Sequence, residues 1–334
     1  MKNVIRYTVS LAIAGGLLWY VFKDIRLDDM AQRLGQADWR LIAISFAVTL
    51  AAHLFRTWRW MMLMEPLGYK VPLGDTFLSV LTGYFANYIM PRMGEVTRCG
   101  TLYRLQNVPV NQSFGTVVAE RIFDVVTLLI LIGLNFLLEF GRLKEFFLDF
   151  FGNKLGDDLT GKLLALSGVL LIGLGIVVYM IKNKAVRDRL LKHGLVQKIV
   201  NFAQGMLEGL LTIRKLKNPG LFILSTVLIW ICYYFASYVL FFCLPETAGL
   251  GPLAGLTLLV IGAIGMTAPT QGGIGAYHLL VGNVMVLYGI THADGITLAT
   301  FVHGSQMILM LAAGAIAFIL VLLKNRKSVK AAEV

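Results

Sequence analysis

Charge is scarce in this chain: Asp, Glu, Lys and Arg supply only 15% of its 334 residues, while apolar types supply 57%. A soluble domain of that make-up could not keep its surface wetted, and a mean hydropathy of +0.74 points to a polytopic membrane protein. Cysteine is scarcer still. Cys99, Cys232 and Cys243 stand singly in apolar surroundings. With no CxxC or CxxH spacing, a disulfide framework and a zinc box are excluded, and buried apolar roles remain. A Ser/His/Asp order, an HExxH helix and a nucleotide-binding glycine loop are also missing. No catalytic residue, metal or cofactor is expected, and the chain is read as a non-enzyme. The formal net charge of +11 is not a nucleic-acid footprint, because the basic residues gather between apolar runs in the positive-inside manner.

What the chain has in abundance is long apolar runs. Read in order they predict an all-α polytopic membrane protein, a single transmembrane domain over 1–334. About six full spans are expected, at 4–22, 41–64, 113–140, 162–181, 221–244 and 298–323. The first lacks a small-x-small cleavage site and is read as retained. The stretch 23–40, with four basic and four acidic residues, reads as a short amphipathic helix on the outer surface. Residues 182–217 carry nine Lys and Arg, so this segment belongs in the cytoplasm of a plasma-membrane protein. Its second half aligns Leu195, Ile199, Phe202, Met206, Leu210 and Ile213 on one face of an interfacial helix. It divides a first half, 1–181, from a second half, 218–334.

Two apolar segments are broken by proline and glycine: 73–105, with a stop at Pro91, and 252–289, around TAPTQGGIGAYH from Thr267 to His278. Both termini and the basic segment read as cytoplasmic, with 141–160 outside, so each broken segment must contribute an even number of crossings. Two re-entrant helical hairpins opening to opposite sides satisfy that parity, the pattern of an inverted repeat. Access of an external reagent to residue 190 in intact cells would overturn this topology. The two breaks are expected to approach each other near the bilayer midplane.

Breaking a helix inside lipid leaves backbone groups that only protein, water or substrate can satisfy, so the breaks should face an interior cavity. Around the first, Asn87, Arg92, Glu95 and Arg98 put guanidinium groups beside a new helix N-terminus at Gly94, a combination suited to an anionic phosphate. Glu95 either caps that helix or pairs with Arg98. In the second, Gly272 and Gly273 permit close backbone approach and Gln271 offers an amide. Arg56 and Arg59, one turn apart between Trp58 and Trp60, form either a snorkelling interfacial belt or a lipid headgroup contact. Glu120, Arg121 and Asp124 either pair within their own helix or join the binding site. His278 and His303, with Gln306 one turn further, are either proton carriers or hydrogen-bonded core residues.

Four stretches in this order and spacing, FRTWRW, NYIMPRMGEVTR, AERIFD and APTQGGIGAYH, resemble the transmembrane region family of lysylphosphatidylglycerol synthases over about residues 40–320. Asn87, Pro91, Arg92, Gly94, Glu95 and Arg98 match its first motif, Glu120, Arg121 and Asp124 the second, and Pro269, Gly272, Gly273 and Gly275 the third. His278 stands where the family commonly has an acidic residue, and His303 where it has an Arg. The resemblance implies a flippase of aminoacylated anionic phospholipids or lipid-linked carriers, and a freestanding member without the synthase domain is expected. The partner is then a membrane phospholipid or lipid-linked substrate, not nucleic acid. A second copy of the chain or a separate lipid synthase is the candidate protein partner. A membrane enzyme acting on a lipid-linked phosphate or sugar and a non-catalytic partner of a synthase are the alternatives.

Overall fold

The computed structural model describes residues 35–90, 93–142, 216–268 and 270–332, with Gly16, Trp19, Asp28 and Gln32 as isolated positions before them. Outside the described residues lie the expected spans 4–22 and 162–181, apart from those isolated positions, most of the surface helix and the 141–160 loop, and nearly all of the basic segment. Pro91, Arg92 and Pro269 lie outside them too. The chain separates into two compact units, Met1–Asn135 with Ile213–Val334, and Phe136–Thr212. In the second, the described residues end α4 below and pair Arg142 with Glu139 at 3.4 Å. The first unit carries everything that follows.

Its described part is all-α, in eight helices: α1 (Trp39–Met64), α2 (Leu73–Ile89), α3 (Gly94–Gln106), α4 (Val110–Leu138), α5 (Pro219–Tyr238), α6 (Pro252–Met266), α7 (Ala276–Met285) and α8 (His292–Ala332). Among them α1, α4, α5 and α8 are long and apolar enough to cross a bilayer, and they fall on the expected spans 41–64, 113–140, 221–244 and 298–323. The protein is a multi-pass membrane protein. Asp38 starts α1 by accepting from the Arg40 amide at 2.8 Å. Pro219 and Pro252 open α5 and α6 at the position where a missing N–H costs nothing.

The other four helices are short. At 1.5 Å per residue α2 and α3, of 17 and 13 residues, reach only about 25 and 20 Å, against about 30 Å of hydrocarbon. They lie antiparallel. Gly83 in α2 sits against Gly94 at the start of α3, and Gln106 at its end donates to Asp75 at the start of α2 over 2.5 Å. Lys324 of α8 reaches the same carboxylate, closing the hairpin mouth against the last helix. The second pair repeats the arrangement: α6 and α7 pack together, with Tyr277 of α7 against Gly262 and Gly265 of α6. Further along, the Tyr288 hydroxyl lies 2.6 Å from that of Thr257, and Thr257 donates to Asn135 of α4 at 2.9 Å.

The first hairpin depends on close backbone approach. A Cβ on Gly94 would run into the Gly83 carbonyl and the Asn87 side chain, whereas one on Gly100, in the same helix, meets nothing within 4 Å. We expect Gly94→Ala to lower the thermal midpoint of the solubilised protein markedly. Gly100→Ala should leave it unchanged or raise it slightly, since alanine is favoured over glycine in a helix by about 1 kcal/mol. Equal midpoints for the two variants would show that the approach carries no stability.

Candidate functional site

The polar interior is built by four helices. Arg56 and Arg59 leave α1 on one face because they are a turn apart, and Glu120 and Asp124 leave α4 likewise. Arg56 Nη1 donates to Glu120 at 2.5 Å and to Asp124 at 3.0 Å. Arg59 Nη2 donates to Asp124 at 2.6 Å and lies 3.3 Å from Glu120. From α3, Arg98 Nη2 reaches the other Glu120 oxygen at 3.0 Å. The α5 helix adds the Thr226 hydroxyl to Arg59 at 3.1 Å and the Tyr233 hydroxyl to Arg56 at 3.2 Å. All three guanidiniums and Glu120 are buried. Aromatic faces cover part of the charge, the Arg98 guanidinium lying 4.5 Å above the Trp60 ring.

Three buried arginines thus face two carboxylates, leaving one positive charge in excess, and the Nε atoms of Arg59, Arg98 and Arg121 are buried without a hydrogen-bond partner. Beside Arg98, between α2, α3 and α4, a narrow open cleft of about 10 Å³, room for about one water, is lined by Val80, Gly83, Tyr84, Asn87, Gly94, Glu95, Arg98 and Arg121. Glu95 and Arg121 guard its rim, 3.3 Å apart. Arg121 is 41% exposed, and on the same face of α4, a turn before and a turn after it, Val118 and Val125 are 46% and 45% exposed. Exposed apolar side chains therefore flank Arg121 at the rim of the cleft.

Several local pairings differ from those the spacing suggests. Arg56 and Arg59 are neither an interfacial belt nor free for a headgroup: they are buried in ion pairs, and Trp60 is buried with them, its indole donating to Thr116 at 2.9 Å. Residues a turn apart share a face, but what that face meets is decided by a helix distant in the chain. The Glu120, Arg121, Asp124 triplet pairs mainly across helices; its internal contact, Arg121 to Asp124, is long at 3.5 Å. Glu95 neither caps α3 nor pairs with Arg98. Asn87 takes the first role, its Oδ1 accepting from the Gly94 amide at 2.7 Å, and Arg121 is Glu95's partner.

The two breaks meet. Gln271 Nε2 donates to the Ile89 carbonyl at 3.2 Å, bringing the second break to the end of α2. Gly272, at φ 58°, has Tyr88 beside it, where a Cβ would crowd the ring at 3.0 Å. His278 and His303 are brought together with ring centroids 5.2 Å apart. Gln306 lies elsewhere in contact terms, bonded to Thr49 and Ser45 of α1 as a tie between α1 and α8. His53, its ring tilted by 56° against that of Tyr84 at 4.4 Å, is a further polar residue of α1 in this interior; its spacing from Arg56 and Trp60 on one helical face is the signal available in the sequence. Tyr84, Tyr233 and Thr226 gave none, being polar residues within apolar runs.

A polytopic all-α protein with two broken hairpins meeting at their tips, and an ion-paired core beside a cleft, is the class defined here. The chain belongs to the lysylphosphatidylglycerol synthase TM region family, whose model matches residues 7–314. It is similar to the UPF0104 membrane protein MJ1595 of Methanocaldococcus jannaschii, 29% identical over 125 residues, 36% of this chain and 37% of that protein. It is also similar to Glycosyltransferase AglD of Haloferax volcanii, 25% identical over 130 residues, 37% of this chain and 21% of that protein. The match thus spans about a third of the length of the first relative and a fifth of the second. No solved structure matches.

Proposed function

We propose that the protein is a flippase that moves an anionic or aminoacylated phospholipid, or a lipid-linked intermediate, across the cell membrane. The observation that carries this reading is the cleft. A guanidinium held at the rim between Val118 and Val125 lets a headgroup leave the lipid sideways while its acyl chains stay against apolar surface. Inside, Arg98 and the excess positive charge behind it attract a phosphate, and Asn87 and Tyr84 offer hydrogen bonds to its substituent. The tip contact at Gln271 and Ile89 supplies a seam between the hairpins that can part as the headgroup passes. The hairpins enter from opposite faces, and the basic segment and both termini lie in the cytoplasm.

The family's name, which concerns lysylphosphatidylglycerol, supports a lipid substrate. A second reading, a membrane enzyme acting on a lipid-linked sugar or phosphate, draws on the name of the Haloferax relative. One assay separates them. Purified protein in proteoliposomes carrying fluorescent anionic lipid should speed the exchange of that lipid between leaflets, with the lipid recovered intact. Recovery of a chemically altered lipid would favour the enzyme, and exchange no faster than in empty vesicles with every anionic lipid tried would remove the flippase reading.

A further inference from the structure

At the second break two imidazoles lie in one small volume. His278 and His303 are 6% and 5% exposed, their rings 5.2 Å apart and tilted by 59°, and Tyr277 stacks on His303 at 4.8 Å. Their roles differ. His278 Nδ1 accepts from the Gly275 amide at 3.4 Å, closing the first turn of α7. A proton on that nitrogen would turn an acceptor into a donor facing a donor, and would put a cation at the positive end of the helix dipole. His303 Nε2 is under no such constraint: it is buried with no hydrogen-bond partner. On the same break Thr270 Oγ1 is also buried and unpartnered, and the Gly272 backbone faces the His303 ring.

We propose that His303 Nε2 is a proton-binding site, paired with His278 so that the two rings take up a single proton, and that its occupancy sets whether the two hairpin tips stay joined. A buried ring nitrogen that gains a proton gains a donor that must find an acceptor, and the Gly272 backbone, already against the His303 ring, is the one at hand. Two imidazolium rings at this separation would repel, which limits the pair to one charge. Thr270 leads directly into the turn Gln271–Gly273, whose Gln271 holds the Ile89 carbonyl and whose Gly272 carries Tyr88 against it. Gly272, Gly273 and Gly275 all have positive φ, a backbone that a residue with a side chain would strain, so the form of this turn depends on glycine. The groups against the pair are Tyr277 and the Gly272 backbone from the second hairpin, and Tyr88 of α2 lies on the far side of Gly272 across the seam. A proton bound at His303 therefore acts where the two hairpins touch. That it drives lipid movement rests on the flippase reading; that it binds does not.

The test uses the full chain in lipid nanodiscs with nitrogen-labelled histidine, followed by NMR between about pH 8 and pH 5. His278→Gln and His303→Gln supply the assignments. The expected result is conversion of the His303 nitrogens to the imidazolium shift on acidification, with a simultaneous shift at His278 as its bond to Gly275 is disturbed. Both shifts should be lost in His303→Gln. Two rings that keep neutral shifts throughout that range would overturn the proposal, and the unmodified protein decides this even if a variant folds poorly. Proteoliposome exchange measured with and without an acid-inside gradient separates the failures. Titration without lipid exchange sinks only the flippase reading, and exchange without titration sinks only the proton site.

Discussion

Glu120→Gln is expected to cost most of the folded yield of the protein, the largest effect of any single change in the polar interior. One carboxylate, fully buried, receives Arg56, Arg98 and Arg59 at 2.5, 3.0 and 3.3 Å. Converting it to an isosteric amide keeps the volume and removes the charge. Arg98 then loses its carboxylate, Arg56 and Arg59 are left with Asp124, and an amide NH2 takes the place of an acceptor oxygen. Removing one partner of a buried ion pair costs about 3–5 kcal/mol, a large fraction of the total stability of an ordinary fold. Glu95→Gln is the control: a half-buried rim carboxylate with a single partner at 3.3 Å, worth about 0–1 kcal/mol. The measurement is the fraction of each variant recovered monodisperse after solubilisation, with its thermal midpoint. Removing a guanidinium as well, in Glu120→Gln with Arg98→Met, should restore part of the loss, because the excess charge falls and the effects of partners in one network do not add. Wild-type yield and midpoint for Glu120→Gln would show that the network is not what holds α1, α3 and α4 together.

How much of this was legible beforehand depends on whether a feature is local in the chain. Apolar runs, and the proline and glycine that interrupt them, are local, so α1 and α4 fall within three residues of their expected bounds, α5 and α8 overlap theirs, each with at least one end shifted by six residues or more, and helices stop at both expected breaks. The meeting of the breaks was legible only as an expectation of symmetry, and it is realised by the bond from Gln271 to Ile89. Charge pairing is not local. Spacing shows that Arg56 and Arg59 share a face, yet nothing within α1 says that this face meets Glu120 and Asp124, 64 and 68 residues from Arg56. For Glu95 and Arg98 the same limit works in reverse. One turn apart on α3, they turn to different α4 partners, Arg121 and Glu120. Arg92, the charge that spacing made most prominent at the first break, lies outside the described residues, and the cleft directs attention to Arg98 and Arg121 in its place.

Arg121→Gln should leave the fold intact and lower lipid exchange by about tenfold or more, the separation expected of a residue that serves the passage of a headgroup. Its two ion pairs are long, 3.3 Å to Glu95 and 3.5 Å to Asp124, and its side chain is 41% exposed, so neither pair adds much stability. A charge-assisted hydrogen bond to a lipid phosphate, by contrast, is worth about 1.5–3 kcal/mol, and each 1.4 kcal/mol is a factor of ten. Arg121→Lys keeps a cation but loses the planar fork that grips two phosphate oxygens at once, and should fall between wild type and the glutamine variant. Glu95→Gln makes the opposite change at the rim, since it removes the anion that competes with a phosphate for Arg121, so half-maximal exchange should come at a lower anionic lipid fraction. The proteoliposome assay, normalised to folded protein, reads all three variants against a neutral fluorescent lipid, whose exchange should be untouched by any of them. If Arg121→Gln and Arg121→Lys both exchange anionic lipid at the wild-type rate, the rim guanidinium is not a headgroup contact and the cleft is not the path.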